Sequence, residues 1–129
     1  RGCTLELPWP AAAGIAADGV FGDFYEELCI HLASTHRVER FAYDWRLPVQ
    51  AHVEDLHDLL KKLKNERGNQ PLRILAHSMG GLVVRALAAT HTGFWKDLLE
   101  IPGARVVMLG TPHQGSHAAA GMMGVFRIE

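Results

Sequence analysis

The sequence predicts an α/β fold: a partial parallel sheet with flanking helices, truncated at both ends. Three observations carry that expectation. Apolar residues recur at helical spacing in long stretches, short apolar runs of strand length lie between them, and the two kinds of stretch alternate along the chain. The 129 residues are one domain's worth at most, expected as a single incomplete domain with an irregular lead-in over 1–20, an αβαβαβ core over 21–116 and a tail over 117–129.

Residues 1–20 are rich in Pro, Gly and Ala without a sustained period, so no stable helix is expected there. From Asp23 the pattern changes. Phe21, Phe24, Tyr25, Leu28 and Leu32 recur at three- and four-residue steps, and Asp23 and Glu26 can accept from the free amides of a first turn, which predicts a helix ending near Thr35. Arg37 to Trp45 alternates, with Val38, Phe41 and Tyr43 among polar neighbours, and predicts a strand, while Pro48 bars smooth passage into the next helix. Val49 to Arg67 places Val49, Val53, Leu56, Leu59, Leu60 and Leu63 on one stripe. Glu54, Asp55 and Asp58 come early in it and Lys61, Lys62 and Lys64 late, the order a helix dipole favours, and Gly68 can take the left-handed conformation that ends the helix. Leu72-Arg73-Ile74-Leu75-Ala76 is a short apolar run that breaks at His77-Ser78-Met79-Gly80-Gly81, after which Leu82, Val83, Ala86 and Leu87 resume a helical pattern. Beyond Gly93 and a connection containing Trp95, Ala104 to Leu109 gives another buried strand that closes in Gly110-Thr111-Pro112.

With 48% hydrophobic and 21% charged residues the chain is not of disordered composition. Thirteen basic against 14 acidic side chains make no global field, so a nucleic-acid partner is not expected. The longest apolar stretches, around Pro10 to Ala17 and Leu82 to Ala89, fall short of the roughly 18 residues a spanning helix needs, so no transmembrane segment is expected. Cys3 and Cys29 sit at no metal-binding spacing and make no disulfide framework, and there is no phosphate-binding glycine loop with its lysine. No metal and no cofactor are expected. The chain starts at Arg1 without a methionine or a signal-like segment, which suggests a piece of something longer.

The turn at Ser78 carries the chemistry. A serine hydroxyl is a weak nucleophile unless it is exposed, aimed at a base and set beside amide donors that can hold the oxyanion of a tetrahedral intermediate. A tight strand-to-helix turn meets these demands together, provided that the residues two places either side are small, because the strand and helix backbones nearly touch there. Ala76 and Gly80 satisfy this, with alanine where the usual pattern has glycine, and Gly81 extends the permissive zone. Ser78 is therefore the expected catalytic residue, Ala76, His77, Gly80 and Gly81 its elbow, and the backbone N–H of Met79 the oxyanion donor. His77 points away from the nucleophile, because successive side chains at a strand end face opposite sides. Taken alone, a turn of this composition is also an ordinary glycine-terminated turn, and it is the strand before it and the helix after it that favour the catalytic reading.

Three segments, Phe41-Ala42-Tyr43-Asp44-Trp45-Arg46, Ala76-His77-Ser78-Met79-Gly80-Gly81-Leu82-Val83-Val84-Arg85 and Leu109-Gly110-Thr111-Pro112-His113-Gln114-Gly115-Ser116, resemble ordered landmarks of the lipase-like and lecithin:cholesterol acyltransferase-like branch of the α/β hydrolases. The resemblance runs from about Asp18 to Ser116. It implies an ester hydrolase or acyltransferase with an acyl ester or lipid-like substrate, and it makes Tyr43, Asp44, Trp45, Arg46, Thr111, Pro112 and His113 walls of the acyl pocket. Asp44 and Arg46 have a plainer reading as a mutual ion pair, and His113 as a loop histidine.

The resemblance also implies the chain order Ser, then Asp or Glu, then His, with the last two after later strands. Both are thus expected beyond Glu129, and this stretch of chain is expected to be inactive alone. Asp97, His113 and His117 come in that order, but Asp97 is expected in a connection and not at a strand end. The second oxyanion amide is expected from a loop before the first helix, of which Arg1-Gly2-Cys3 is a stub. In the sheet order that the resemblance implies, a missing strand separates the strand ending at Trp45 from the one ending at His77. The isolated chain is therefore expected to repair the slot by direct pairing, to self-associate through the unpaired edge, or to be unstable. The alternative function is a non-catalytic interaction domain that retains the hydrolase scaffold.

Overall fold

The computed structural model describes residues 22–68 and 70–116, and the expectations for the lead-in over 1–20, the Arg1-Gly2-Cys3 stub, His117 and the tail lie outside them. Two compact units divide the chain, Arg1–Leu47 and Pro48–Glu129.

In the first unit, α1 spans Gly22–Ala33. It stops where Ser34 and Thr35 turn their hydroxyls back onto the carbonyls of His31 and Leu32 and the amide of His36 bonds to the Leu32 carbonyl at 2.8 Å. Such local side-chain bonds compete with helix continuation. The apolar stripe that the sequence assigns to this helix is only partly covered: Phe24 and Leu28 are exposed, while Tyr25 and Leu32 are half-buried. Residues 37–44 are extended, as the contacts between alternate side chains require, Arg37 with Glu39 at 2.6 Å and the Phe41 and Tyr43 rings with centroids 5.8 Å apart. Arg40 pairs with Glu26 of α1 at 2.8 Å. Yet this segment joins no ladder, so the strand expected over Arg37–Trp45 is not formed. The alternating pattern gives the segment its extended backbone, but a strand also needs a neighbour's amides and carbonyls. Neither the direct repair of the slot nor a three-strand sheet is present among the described residues.

The second unit holds the core. Pro48 caps a short 3-10 turn over Val49–His52, closed by the Ala51 amide on the Pro48 carbonyl at 2.9 Å, before α2 runs over Val53–Arg67. The expected single helix from Val49 is therefore tightened in its first turn, as helix starts often are. Val53, Leu56, Leu60 and Leu63 are buried along one face of α2, each of these leucines contributing roughly 1.5–3 kcal/mol. Gly68, at φ +58°, ends the helix. Strand β1 (Arg73–His77) leads through Ser78 into α3 (Met79–Thr90), which is followed by α4 (Thr92–Leu99) and β2 (Arg105–Leu109). The stretch around Trp95, expected as a connection, is thus helical, and Asp97 lies in α4. Gly93 conceals this helix in the sequence, although Phe94 and Leu98 stand one helical turn apart.

Among the described residues the sheet has two strands, paired in parallel from Arg73 with Arg105 to His77 with Leu109. The helices α3 and α4 form the crossover that a parallel pair requires. Along both strands burial alternates: Ile74, Ala76, Val106 and Met108 turn inward while Leu75, Val107 and Leu109 stay exposed. The strand expected to be buried over Ala104–Leu109 is thus covered on one face. Val83, Leu87 and Leu98 are the most deeply buried side chains, which puts the core around α3. No helix of the described residues is long and apolar enough to cross a membrane. The architecture is a partial α/β fold, a parallel sheet with flanking helices.

Candidate functional site

Ser78 stands between the last residue of β1 and the first of α3, at φ +51° and ψ −126°, and its side chain is exposed. Among the described residues it is the one non-glycine at positive φ. That conformation costs a side-chain-bearing residue on the order of 1–3 kcal/mol and persists only where its surroundings over-determine it. Two contacts do so here. The Ser78 amide donates to the Leu109 carbonyl at 2.8 Å, which carries the β1–β2 ladder one step into the turn, and the Ser78 carbonyl accepts from the Gly81 amide at 3.1 Å. Met79 opens α3, so its N–H has no acceptor within the helix and lies at the positive end of the helix dipole. No hydrogen bond to Ser78 Oγ is present among the described residues.

The elbow residues sort by burial. Ala76 is buried beneath the turn and His77 is exposed on the other face of the strand. The tightest approach falls at Gly81, where an added Cβ would stand 2.0 Å from Thr111 Oγ1 and 2.8 Å from Thr111 Cβ. Sequence reasoning gives Gly81 only a permissive part and places Thr111 in a pocket wall. In the structure Thr111 Oγ1 is buried with no hydrogen-bond partner among the described residues, pressed against the Gly81 backbone. A glycine after a small-x-Ser-x-small turn, together with a later Gly-Thr-Pro, was the available signal, but nothing local ties the two.

The loop after β2 is shaped by Gly110 at φ +57° and Gly115 at φ +100° and by the Gly115 amide on the Pro112 carbonyl at 3.1 Å. Pro112 is half-buried, and exposed His113 meets Arg85 of α3 through Nδ1 at 2.9 Å from Arg85 Nη1. This loop is therefore clamped to α3 at two points, Thr111 on Gly81 and His113 on Arg85.

Tyr43, Asp44, Trp45 and Arg46 belong to the first unit. Arg46 grips Asp44 with two parallel bonds, Nε to Oδ1 at 2.7 Å and Nη2 to Oδ2 at 2.5 Å, and its amide adds a third to Oδ1 at 3.1 Å. The plainer reading of these two residues, an ion pair clamping a loop, is what the geometry shows. The hydrogen bond to Asp44 raises the Arg46 pKa above its ordinary value. Burial, and secondarily the charge of Tyr25, raises that of Tyr43. Trp45 is exposed.

A second cluster joins α2 to the α3–α4 junction. Glu54 approaches His91 Nε2 at 2.9 Å and His57 Nδ1 at 3.9 Å, and the two imidazoles stack with centroids 3.9 Å apart. The sequence shows only Glu54 and His57 one helical turn apart; His91 is supplied by the fold.

Among curated proteins, the chain is 43% identical over 65 residues to an uncharacterized protein of Saccharomyces cerevisiae, YJR098C, a match covering 50% of this chain and 10% of that protein. No solved structure matches. A match to the family described as serine aminopeptidase S33 (Hydrolase_4) spans residues 25–122, more than half of the 129, and takes in the Ser78 turn and the Gly-Thr-Pro loop. With a parallel sheet, a strand-to-helix turn at Ser78 and that span of agreement, the chain belongs to the serine aminopeptidase S33 family of α/β hydrolases.

Proposed function

We propose that this chain supplies the nucleophile portion of a serine acyl hydrolase, within a single hydrolase domain of which residues 1–129 are an incomplete part. Ser78 Oγ attacks the carbonyl carbon of an acyl ester, its proton passes to a base, and the carbonyl oxygen takes the negative charge beside the Met79 N–H. Collapse expels the alcohol, which takes the proton back, and water or a second alcohol then attacks the acyl-enzyme. The observation that carries this reading is the exposed Ser78 held at φ +51° between β1 and α3. A serine with no role beyond the turn would relax or give way to glycine. The three-landmark resemblance supports lipid-like acyl esters as substrate, and within the unit that holds Ser78 it makes Thr111, Pro112 and His113 the proposed pocket wall. The base and its orienting acid are proposed to come from sequence outside residues 1–129, in keeping with the absence of a hydrogen bond to Ser78 Oγ among the described residues.

A second reading comes from the description of the matched family, which names a serine aminopeptidase. It uses the same nucleophile on an amide.

The test is exposure of the 129-residue chain, and of a longer polypeptide that contains it, to a fluorophosphonate, with the adduct located by mass spectrometry. Labelling at Ser78 in the longer polypeptide, lost in Ser78→Ala, is the expected result. A folded longer polypeptide that takes no label sinks the proposal in favour of a non-catalytic scaffold. Nitrophenyl acyl esters against amino-acid nitroanilides then separate esterase from aminopeptidase, and fast turnover by the 129 residues alone overturns the assignment of the base.

A further inference from the structure

We propose that Glu54, His57 and His91 form a three-ligand site for a divalent transition-metal cation of the Zn²⁺ class, which pins α2 to the α3–α4 junction. The three offer one ligand atom each, all within 4.8 Å of one another. Glu54 and His57 share a face of α2 because residues three apart on a helix are neighbours. His91 is held from the other side by its own backbone: its amide bonds to the Leu87 carbonyl at 2.8 Å and its carbonyl accepts from the Trp95 amide at 2.9 Å. The cluster is thus assembled by two separate elements, each fixed independently of any ligand.

The chemistry favours a cation over a plain ion pair. A His91–Glu54 pair at 2.9 Å would use one imidazole and one carboxylate oxygen, but here a second imidazole stacks on the first with centroids 3.9 Å apart and planes 18° from parallel, and faces the other oxygen of the same carboxylate. Protonating both rings would set two like charges in contact. A divalent ion instead takes a lone pair from each neutral ring and a charge from the carboxylate, and two imidazoles with one carboxylate make a three-ligand set that leaves a fourth position for water. The side chains of His57 and His91 are mostly buried, at 14% and 23% exposure, while Glu54 at 68% stands at the mouth as the path of entry. Phe94 packs edge-on against His57 with centroids 4.7 Å apart and limits where that ring can turn, and Lys64 Nζ lies 5.7 Å from the Phe94 centroid. Tetrahedral ligands around zinc are roughly 3.3 Å apart, so the set must contract. The exposed Glu54 carboxylate can swing inward, and each ring must rotate about its outer torsion to aim its lone pair at one point.

The experiment is calorimetric titration of the purified full chain with ZnCl2 and, separately, MgCl2, with Co²⁺ absorbance as a geometric readout. Expected are one Zn²⁺ per chain, no heat with Mg²⁺, tetrahedral visible bands with Co²⁺, and affinity at least about tenfold weaker in both Glu54→Gln and His91→Gln. The exposed His31→Asn/His36→Asn pair should leave binding unchanged. Absence of Zn²⁺ binding by the folded chain overturns the proposal, as does binding that survives Glu54→Gln and His91→Gln or is lost with the His31/His36 pair. If His91→Gln fails to fold, Glu54→Gln decides, because that side chain is mostly in solvent.

Discussion

Replacing Gly81 by alanine tests whether the Ser78 turn is held by its contact with the loop after β2. The added methyl would lie 2.0 Å from Thr111 Oγ1, 2.7 Å from Cγ2 and 2.8 Å from Cβ. Rotating the Thr111 side chain moves the first two atoms but not the third, so backbone must shift as well. Overpacking of this kind costs about 1–3 kcal/mol, and a clash that a rotamer cannot relieve belongs at the upper end. Alanine recovers about 1 kcal/mol as the better helix former within α3. The expected net loss is about 2 kcal/mol, a fall of about 1 M in the urea midpoint for a domain of this size. Thr111→Ala removes the Oγ1 and Cγ2 contacts and leaves only the Cβ one, so the double variant should regain at least about 1 kcal/mol over Gly81→Ala. Equilibrium urea unfolding of the four proteins, followed by tryptophan fluorescence, gives the cycle. A Gly81→Ala protein as stable as the parent, or strict additivity with Thr111→Ala, would refute the reasoning.

Ser78→Gly should be more stable than Ser78→Ala by about 1 kcal/mol, because glycine relieves the positive φ that alanine inherits; equal melting temperatures would remove the case for a strained turn. The raised Tyr43 pKa favours the neutral phenol in the fold, so this group's stabilisation is complete below its ordinary value of 10.0 and is lost as the pH rises through the folded value. Tyr43→Phe should therefore flatten the alkaline decline in melting temperature, and an unchanged decline counts against the burial of Tyr43. Leu75, Val107 and Leu109 are 43%, 47% and 46% exposed on one face of the sheet, and with the edge of β1 that no described strand pairs they are expected to drive self-association. Sedimentation velocity should show Leu75→Thr/Val107→Thr shifted toward monomer, and a parent chain that is monomeric at every concentration contradicts this.

What the sequence revealed and what it concealed divide along local and non-local physics. The stripe of Val53, Leu56, Leu60 and Leu63, the break from β1 into the Ser78 turn, and β2 closing at Gly110 all follow from periodicity and turn chemistry, and the structure has them within a residue or so. The segment 37–44 has the local pattern of a strand and the extended backbone, but pairing depends on a neighbour that no local pattern specifies. The stripe of α1 fails in part in the same way, since Phe24 and Leu28 are exposed where a covered face was expected. The places of Ala76, Ser78 and Met79 at the strand end, the turn and the helix start were legible because one tight turn dictates all three. The press of Thr111 on Gly81 and the meeting of Glu54 with His91 were not, because each joins residues some thirty or more positions apart.

The bond from the Ser78 amide to the Leu109 carbonyl has a consequence for where damage can arise. On the proposed reading of Ser78 as nucleophile, its oxygen is moored to the end of β2, so its aim is only as true as that mooring. A lesion at Leu109 or Gly110 would then leave every proposed reactive group intact and still misdirect the proposed attack, a loss of alignment in a protein whose global fold looks sound.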